Sequence, residues 1–311
     1  MGFAVNPAVV ICECFARDGL QHEPLAMPTR AKIEIIDAIT DAGFSRIEAT
    51  SYSHPAQVPA FVDTSDVLKG IGRREGVSYK ATCPNQKAVE RALTDRAAGY
   101  GAEEISLLVS ATQAHTERNL RTTRERQWRN VAEMATLAGE QFRLIGVVSM
   151  AFGCYFEGRV DQASVVEDIA HFASIGVRHV TVGDTTGHGT PSSVRRLFER
   201  IGRDVPQVTA IAHFHDTRGT ALANCVAAYE AGCRWFDSAL GGVGGHPAQI
   251  QYGEGYTGNV ATEDLVNLFE AEGIDTGLNL DRLIQASQLC EKVLGRPLQS
   301  RVARAGYGFL N

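Results

Sequence analysis

The stretch HFHD places His213 and His215 two positions apart at the end of an apolar run. On a strand, positions i and i+2 share a face, so the two imidazoles point the same way. Near the start of the chain, Arg17 and Asp18 stand side by side. Two imidazoles, a carboxylate and a neutral oxygen make a mixed nitrogen–oxygen donor set of the kind that holds Mg²⁺, Mn²⁺ or a similar divalent ion. The plainer reading is a pair of hydrogen-bonded histidines at a rim. The Arg17 guanidinium, always charged, suits a carboxylate or a developing enolate oxygen; alternatively it closes a turn on Asp18. Residues 241–258, GGVGGHPAQIQYGEGYTG, hold seven glycines in eighteen positions. Such a segment acts as a lid over a site or is merely a flexible surface loop. His246 within it can carry a proton near neutral pH.

For these groups to meet, distant parts of the chain must converge. Short apolar runs alternate with longer segments of helical period. The spacing predicts strands over 9–15, 45–50, 78–83, 104–110, 143–150, 178–183, 208–214 and 234–240. It predicts helices over 29–42, 86–98, 124–140, 162–174, 191–203 and 217–231, with two more, 263–272 and 280–294, after the last strand. Alternating strands and helices mean a parallel sheet with helices outside it, and eight units in 311 residues suit a closed barrel. The expected fold is therefore α/β, a (β/α)8 TIM barrel with additional C-terminal helices, as one catalytic domain over 1–311. An open doubly wound sheet fits less well, because no GxGxxG follows the first strand.

In such a barrel the chemistry sits at the C-terminal ends of strands. Those ends carry Glu13, Arg17 and Asp18; Glu48, Thr50 and Ser51; Thr82 and Asn85; Cys154 and Glu157; Asp184 and Thr185; and His213, His215 and Asp216. The arginines at 118, 121, 124, 126 and 129 read most simply as a solvated helix face, with attraction of a phosphate-bearing substrate as the other use. Cys12 and Cys14 share one face of strand 1 and read as core.

Composition narrows the class. The net charge is −6, which argues against nucleic acid as the partner. No run of about 18 apolar residues is present, so no membrane span is expected. The N-terminal MGFAVNPAVV has no signal-peptide pattern. Seven scattered cysteines point to a reducing, cytoplasmic setting and not to disulfides.

Several stretches taken together carry a resemblance. ECFARDGLQHE, RIEATSYSHP, TVGDTTGHGTP, HFHDTRGTALAN and TGNVATEDLV resemble the 3-hydroxy-3-methylglutaryl-CoA (HMG-CoA) lyases, of the metal-dependent lyase and condensing-enzyme superfamily, from about residue 8 to about residue 295. The resemblance implies that Asp18, His213, His215 and Asn259 are ligands of a divalent metal, Mg²⁺ or Mn²⁺. It implies that Arg17 stabilises the enolate oxygen of departing acetyl-CoA, that Glu13 and Glu48 are acidic active-site positions, that Gln21 and Ser51 contact substrate, and that Asp184 and Thr185 line the acyl-CoA cleft. The implied partner is an acyl-CoA bound through its 3-hydroxyl and a carboxylate oxygen; His213 or Asp18 removes the hydroxyl proton, and the C2–C3 bond breaks. Leucine degradation and a homo-oligomer, dimer or larger, are the implied setting and assembly. Three departures concern the substrate's surroundings. His246 stands where family lyases carry a loop cysteine, His22 replaces an asparagine in DGLQHE, and the strand 5 turn reads GCYFEG for GCPYEG.

Three readings compete. The first is an acyl-CoA lyase for HMG-CoA or a related 3-hydroxyacyl-CoA. The second is a 2-oxo-acid aldolase or Claisen-type synthase on the same barrel. The third is a metal-free binding protein.

Overall fold

The computed structural model describes residues 7–23, 27–245 and 258–308. Eight parallel strands close in sequence order, β1 (Val10–Glu13), β2 (Arg46–Ser51), β3 (Ser78–Thr82), β4 (Glu104–Ser110), β5 (Arg143–Ser149), β6 (His179–Asp184), β7 (Thr209–Phe214) and β8 (Trp235–Ser238), with β8 pairing back onto β1. Eight helices lie between or beside them: α1 (Thr29–Asp41), α2 (Thr64–Gly70), α3 (Gln86–Ala97), α4 (Gln113–Leu120), α5 (Arg124–Ala138), α6 (Gln162–Ser174), α7 (Pro191–Asp204) and α8 (Ala221–Glu230). Three follow the barrel: α9 (Thr262–Ala271), α10 (Leu280–Leu294) and α11 (Val302–Ala305). The TIM barrel with C-terminal helices is the expected one.

Local chemistry sets the element ends. Asn85, Thr123, Asp161 and Asn279 each cap a helix by accepting a backbone N–H. Thr190 and Ser193 form a reciprocal capping box, with Pro191 at the first helical position of α7. One buried apolar cluster joins the outward strand faces to the inner stripes of the helices.

Differences from expectation have local causes. β1 stops at Glu13 because Cys14 O takes the N–H groups of Arg17, Asp18 and Gly19, which winds Phe15–Gly19 into a π-turn. Residues 217–220 stay out of α8, since Asp216 Oδ1 accepts the Ala221 N–H and Gly219 sits at φ +71°. α4 was not anticipated: QAHTERNL is almost wholly polar and buries only His115 and Thr116. Among the described residues, no helix is long and apolar enough to cross a membrane.

Strand parity fills the interior with polar groups. Arg46 and Glu48, Lys80 and Thr82, His213 and Asp237 all project inward. At the N-terminal end, Arg46 donates to Glu104 through Nη2 at 2.8 Å and lies 4.6 Å over the Trp235 ring. Arg143 Nη1 completes this plug, 2.7 Å from Glu104 Oε1.

Candidate active site

The π-turn after β1 turns Asp18 back over the barrel mouth, where it meets the end of β7. His213 Nε2 and His215 Nε2 lie 3.2 Å apart, and His215 Nε2 is 3.8 Å from Asp18 Oδ2. One donor atom from each of the three lies within 4.8 Å of the others. Asn259 joins through a bridge to His215, and its Nδ2 donates to Asp18 Oδ2 at 2.8 Å and to Val243 O at 3.0 Å. Its Oδ1 is buried and, among the described residues, has no hydrogen-bond partner. A buried orphan carbonyl oxygen beside two facing imidazole nitrogens and a carboxylate is a donor set that fits a divalent cation.

The surrounding charges hold the Asp18 carboxylate in the ionised state that ligation needs. Burial alone would raise the Asp18 carboxyl, but Arg17, His213 and His215 hold it well below the usual range. Asp18 Oδ1 accepts from Arg17 Nη1 at 2.7 Å and from Gln21 Nε2 at 3.0 Å. Behind the cluster, Asp237 Oδ2 lies 3.4 Å from His213 Nδ1, which leaves Nε2 facing the cleft. Asp237 is held down to about 2: burial pushes it up, and Lys80 and His213 more than offset that. Arg17 Nε is 3.6 Å from Glu48 Oε1 and, among the described residues, lacks a hydrogen-bond partner; Thr82 donates to the same Glu48 oxygen at 2.9 Å.

The loop after β8 approaches this cluster closely. A Cβ on Gly244, at φ +143°, would lie 2.3 Å from Asn259 Nδ2 and 3.4 Å from Asp18 Oδ2. Gly244→Ala is therefore expected to displace Asn259 and weaken divalent-ion binding by on the order of 10–100-fold, as loss of an outer support does. Calorimetric titration with Mn²⁺ measures this; unchanged affinity would show that the loop can yield.

A cleft of about 640 Å³ opens here, lined by Arg17, Asp18, Gln21, Glu48, Thr185, His213 and His215 and floored by Lys80, Ser106 and Asp237. Its outer wall is α4 and the start of α5, with Arg118, Arg121 and Arg126 facing in. The other two arginines of the run turn elsewhere. Arg124 pairs with Asp168, and Arg129 pairs with Glu125 in solvent.

Comparison with known proteins settles the relationship. The HMGL-like family profile matches residues 8–290. The chain belongs to the HMGL-like family. It is 39% identical to the mitochondrial hydroxymethylglutaryl-CoA lyase of Rattus norvegicus, over 96% of this chain and 89% of the relative. It is 38% identical to the hydroxymethylglutaryl-CoA lyase of Bacillus subtilis, over 94% of this chain and 95% of the relative. The solved structure of an HMG-CoA lyase from Acinetobacter baumannii, in complex with coenzyme A and 3-methylmalate, superposes with a TM-score of 0.90 at 37% identity, covering 96% of this chain and 95% of that one.

Within this HMGL-like barrel, not every expected site residue reaches the cleft. Arg17, Asp18, Gln21, Glu48, Thr185, His213, His215 and Asn259 come together. His246 lies outside the described residues. Ser51 does not line the cleft: a register slip between Glu48 and Thr50 breaks the inward alternation, and its hydroxyl goes to Ser53 and Thr82 O. Ser53 lines the cleft instead. Asp184 points outward and holds the following turn by accepting from His188 N and Gly189 N, each at 2.8 Å.

Glu13 is likewise no substrate contact. It is 0% exposed, on the β1 face opposite Cys12 and Cys14, and accepts from Phe15 N, Leu240 N and Thr262 Oγ1. It thus ties the Arg17–Asp18 turn to the start of the glycine-rich loop. Burial pushes its carboxyl up to about 8 from 4.5, against the pull of those hydrogen bonds. The folded protein therefore retains a proton that the unfolded chain has lost, and this stabilisation, full below about 4.5, disappears as pH rises to about 8. Glu13→Gln should flatten that segment of the melting-temperature profile; a slope equal to wild type would place the titration elsewhere.

Two residues at the centre were missed in the sequence, Lys80 and Asp237. Each is a charge at the inward parity of its strand, and that parity was the available signal.

Proposed function

We propose that the chain cleaves HMG-CoA to acetyl-CoA and acetoacetate, as a divalent-metal-dependent carbon–carbon lyase. The observation that carries this reading is the convergence of Asp18, His213 and His215 with the unpartnered Asn259 Oδ1, directly beside Arg17. These four residues would hold Mg²⁺ or Mn²⁺, which when bound would polarise the 3-hydroxyl and lower its pKa.

The chain's own groups account for the rest. Acceptors for the hydroxyl proton are the Asp18 carboxylate and the His213 imidazole, and His213 has Asp237 behind it to balance the charge it gains. As that proton leaves, C3 becomes a carbonyl and the C2–C3 electron pair moves into the thioester as an enolate. Arg17, fixed between Asp18 and Glu48, stabilises the negative oxygen. His246 is proposed as the acid that returns a proton to C2, giving acetyl-CoA. Gln21 and Thr185 border the acyl group, while Arg118, Arg121 and Arg126 suit the phosphates of coenzyme A at the mouth.

A cytoplasmic homo-oligomer, dimer or larger, serving leucine degradation belongs to the same proposal. The test is acetyl-CoA release from HMG-CoA with Mg²⁺ or Mn²⁺, before and after EDTA. No release with either ion would sink the reading; release of free thiol or pyruvate in its place would favour a synthase or an aldolase.

A further inference from the structure

Beneath the donor cluster the cleft continues down the barrel axis to side chains that the mechanism above puts in contact with no substrate atom. Lys80, on β3, is 2% exposed, and its Nζ lies 3.7 Å from Glu48 Oε1 and 3.9 Å from Asp237 Oδ2. At those distances the two carboxylates balance the ammonium's charge without accepting its protons. Among the described residues, nothing else accepts them. Ser106, on β4, is also 2% exposed, and its buried Oγ has no hydrogen-bond partner among the described residues. Lys80 pairs in register with Glu104 and Thr82 with Ser106, so both side chains project inward from adjacent strands, and both line the cleft. A buried hydroxyl left unpaired costs free energy, and the Lys80 ammonium borders the cleft with donors to offer. Together they form one side of a recognition site whose missing partner is an oxygen acceptor, best an anionic one.

The direction of the substrate follows from the charges. Coenzyme A phosphates need cations, and the mouth supplies Arg118, Arg121 and Arg126. The thioester half therefore faces outward, the reacting carbon sits at the donor cluster, and the half that leaves as a ketone points down to β3 and β4. We propose that Lys80 and Ser106 form a floor subsite for the carboxylate of that keto-acid half, so that the enzyme selects acidic 3-hydroxyacyl-CoA esters over those ending in a plain alkyl group. This rests on the lyase reading above, and deepens it. It also moves the carboxylate, which the family resemblance places on the metal, down to the floor.

The decisive measurement is binding without turnover. HMG-CoA and 3-hydroxy-3-methylbutyryl-CoA, which lacks the carboxylate, are titrated calorimetrically in EDTA. Wild type is expected to bind HMG-CoA about 10-fold or more tightly than the analogue, the range set by a charged hydrogen bond. Lys80→Met should erase that preference. Ser106→Ala should weaken HMG-CoA by roughly 3–10-fold and leave the analogue unchanged. Removing Lys80 leaves Glu48 and Asp237 short of a counter-charge, so that variant can fail to fold. Ser106→Ala unpairs nothing and then decides the matter. No preference in EDTA, or a preference undiminished in Ser106→Ala and in any folded Lys80→Met, overturns the subsite. If wild type shows the binding pattern but releases no acetyl-CoA when Mg²⁺ is restored, the lyase reading falls and the subsite stands.

Discussion

Arg17→Gln is expected to lower the rate of acetyl-CoA release by on the order of 10²–10³-fold, the usual loss when a preorganised group that meets developing charge is removed. The effect should fall on kcat more than on KM, because the enolate oxygen carries its full charge only as the C2–C3 bond breaks. Arg17 is placed for this by contacts on both flanks, Asp18 at 2.7 Å and Glu48 at 3.6 Å, while its Nε stays unpartnered and buried. Arg17→Lys keeps the charge but loses the planar fork and should recover only part of the rate. Mn²⁺ titration of the same variants supplies the control. If metal affinity and rate fall in step, Arg17 serves Asp18 and not the enolate.

Glu104→Leu is expected to destabilise the protein by about 3–5 kcal/mol, because it takes from the buried Arg46 charge its nearest carboxylate and leaves Asp237 at 4.0 Å. Glu104 is 0% exposed and takes hydrogen bonds from Arg46 and Arg143, and Arg46 Nη1 already lacks a partner. A fall of roughly 10 °C in melting temperature should follow. Arg46→Met combined with Glu104→Leu should regain most of it, since a buried pair replaced by apolar groups is often neutral. Equal melting temperatures for the single and double variants would show that water reaches Arg46 and screens it.

The barrel was legible because its information is local. Helical and strand periods alternate plainly, and the glycines and caps sit where turns need them. Asp18, His213 and His215 were legible because few other arrangements gather such residues at one rim. α4 was not, since its wall of the cleft is made by a polar segment with little apolar period, held by its neighbours: Glu157 Oε1 accepts the Ala114 N–H, and Phe156 stacks on Arg118 at 4.1 Å. That packing holds Arg118 on the rim of the cleft, where it is also exposed to solvent. Glu13 and Asp184 show the opposite failure. Alternation against the inward Cys12 and Cys14 turns Glu13 outward, but its place in a family motif suggested substrate contact. Conserved-looking motif position and physical proximity to the cleft are different properties, and only the strand geometry separates them. Lys80 and Asp237 were passed over because a charge in a strand looks like an exception to core composition, whereas in a barrel the interior end of a strand is part of the site.

The Arg46–Glu104 plug makes the barrel a blind tube. In the orientation proposed above, substrate and both products share one doorway, and the acyl chain enters with its ketone end leading. After cleavage the coenzyme A fragment lies nearer the exit and sits on top of the keto acid. Departure must therefore run in the reverse of entry: the thioester leaves before the keto acid can, and the smaller product waits for the larger to clear the way.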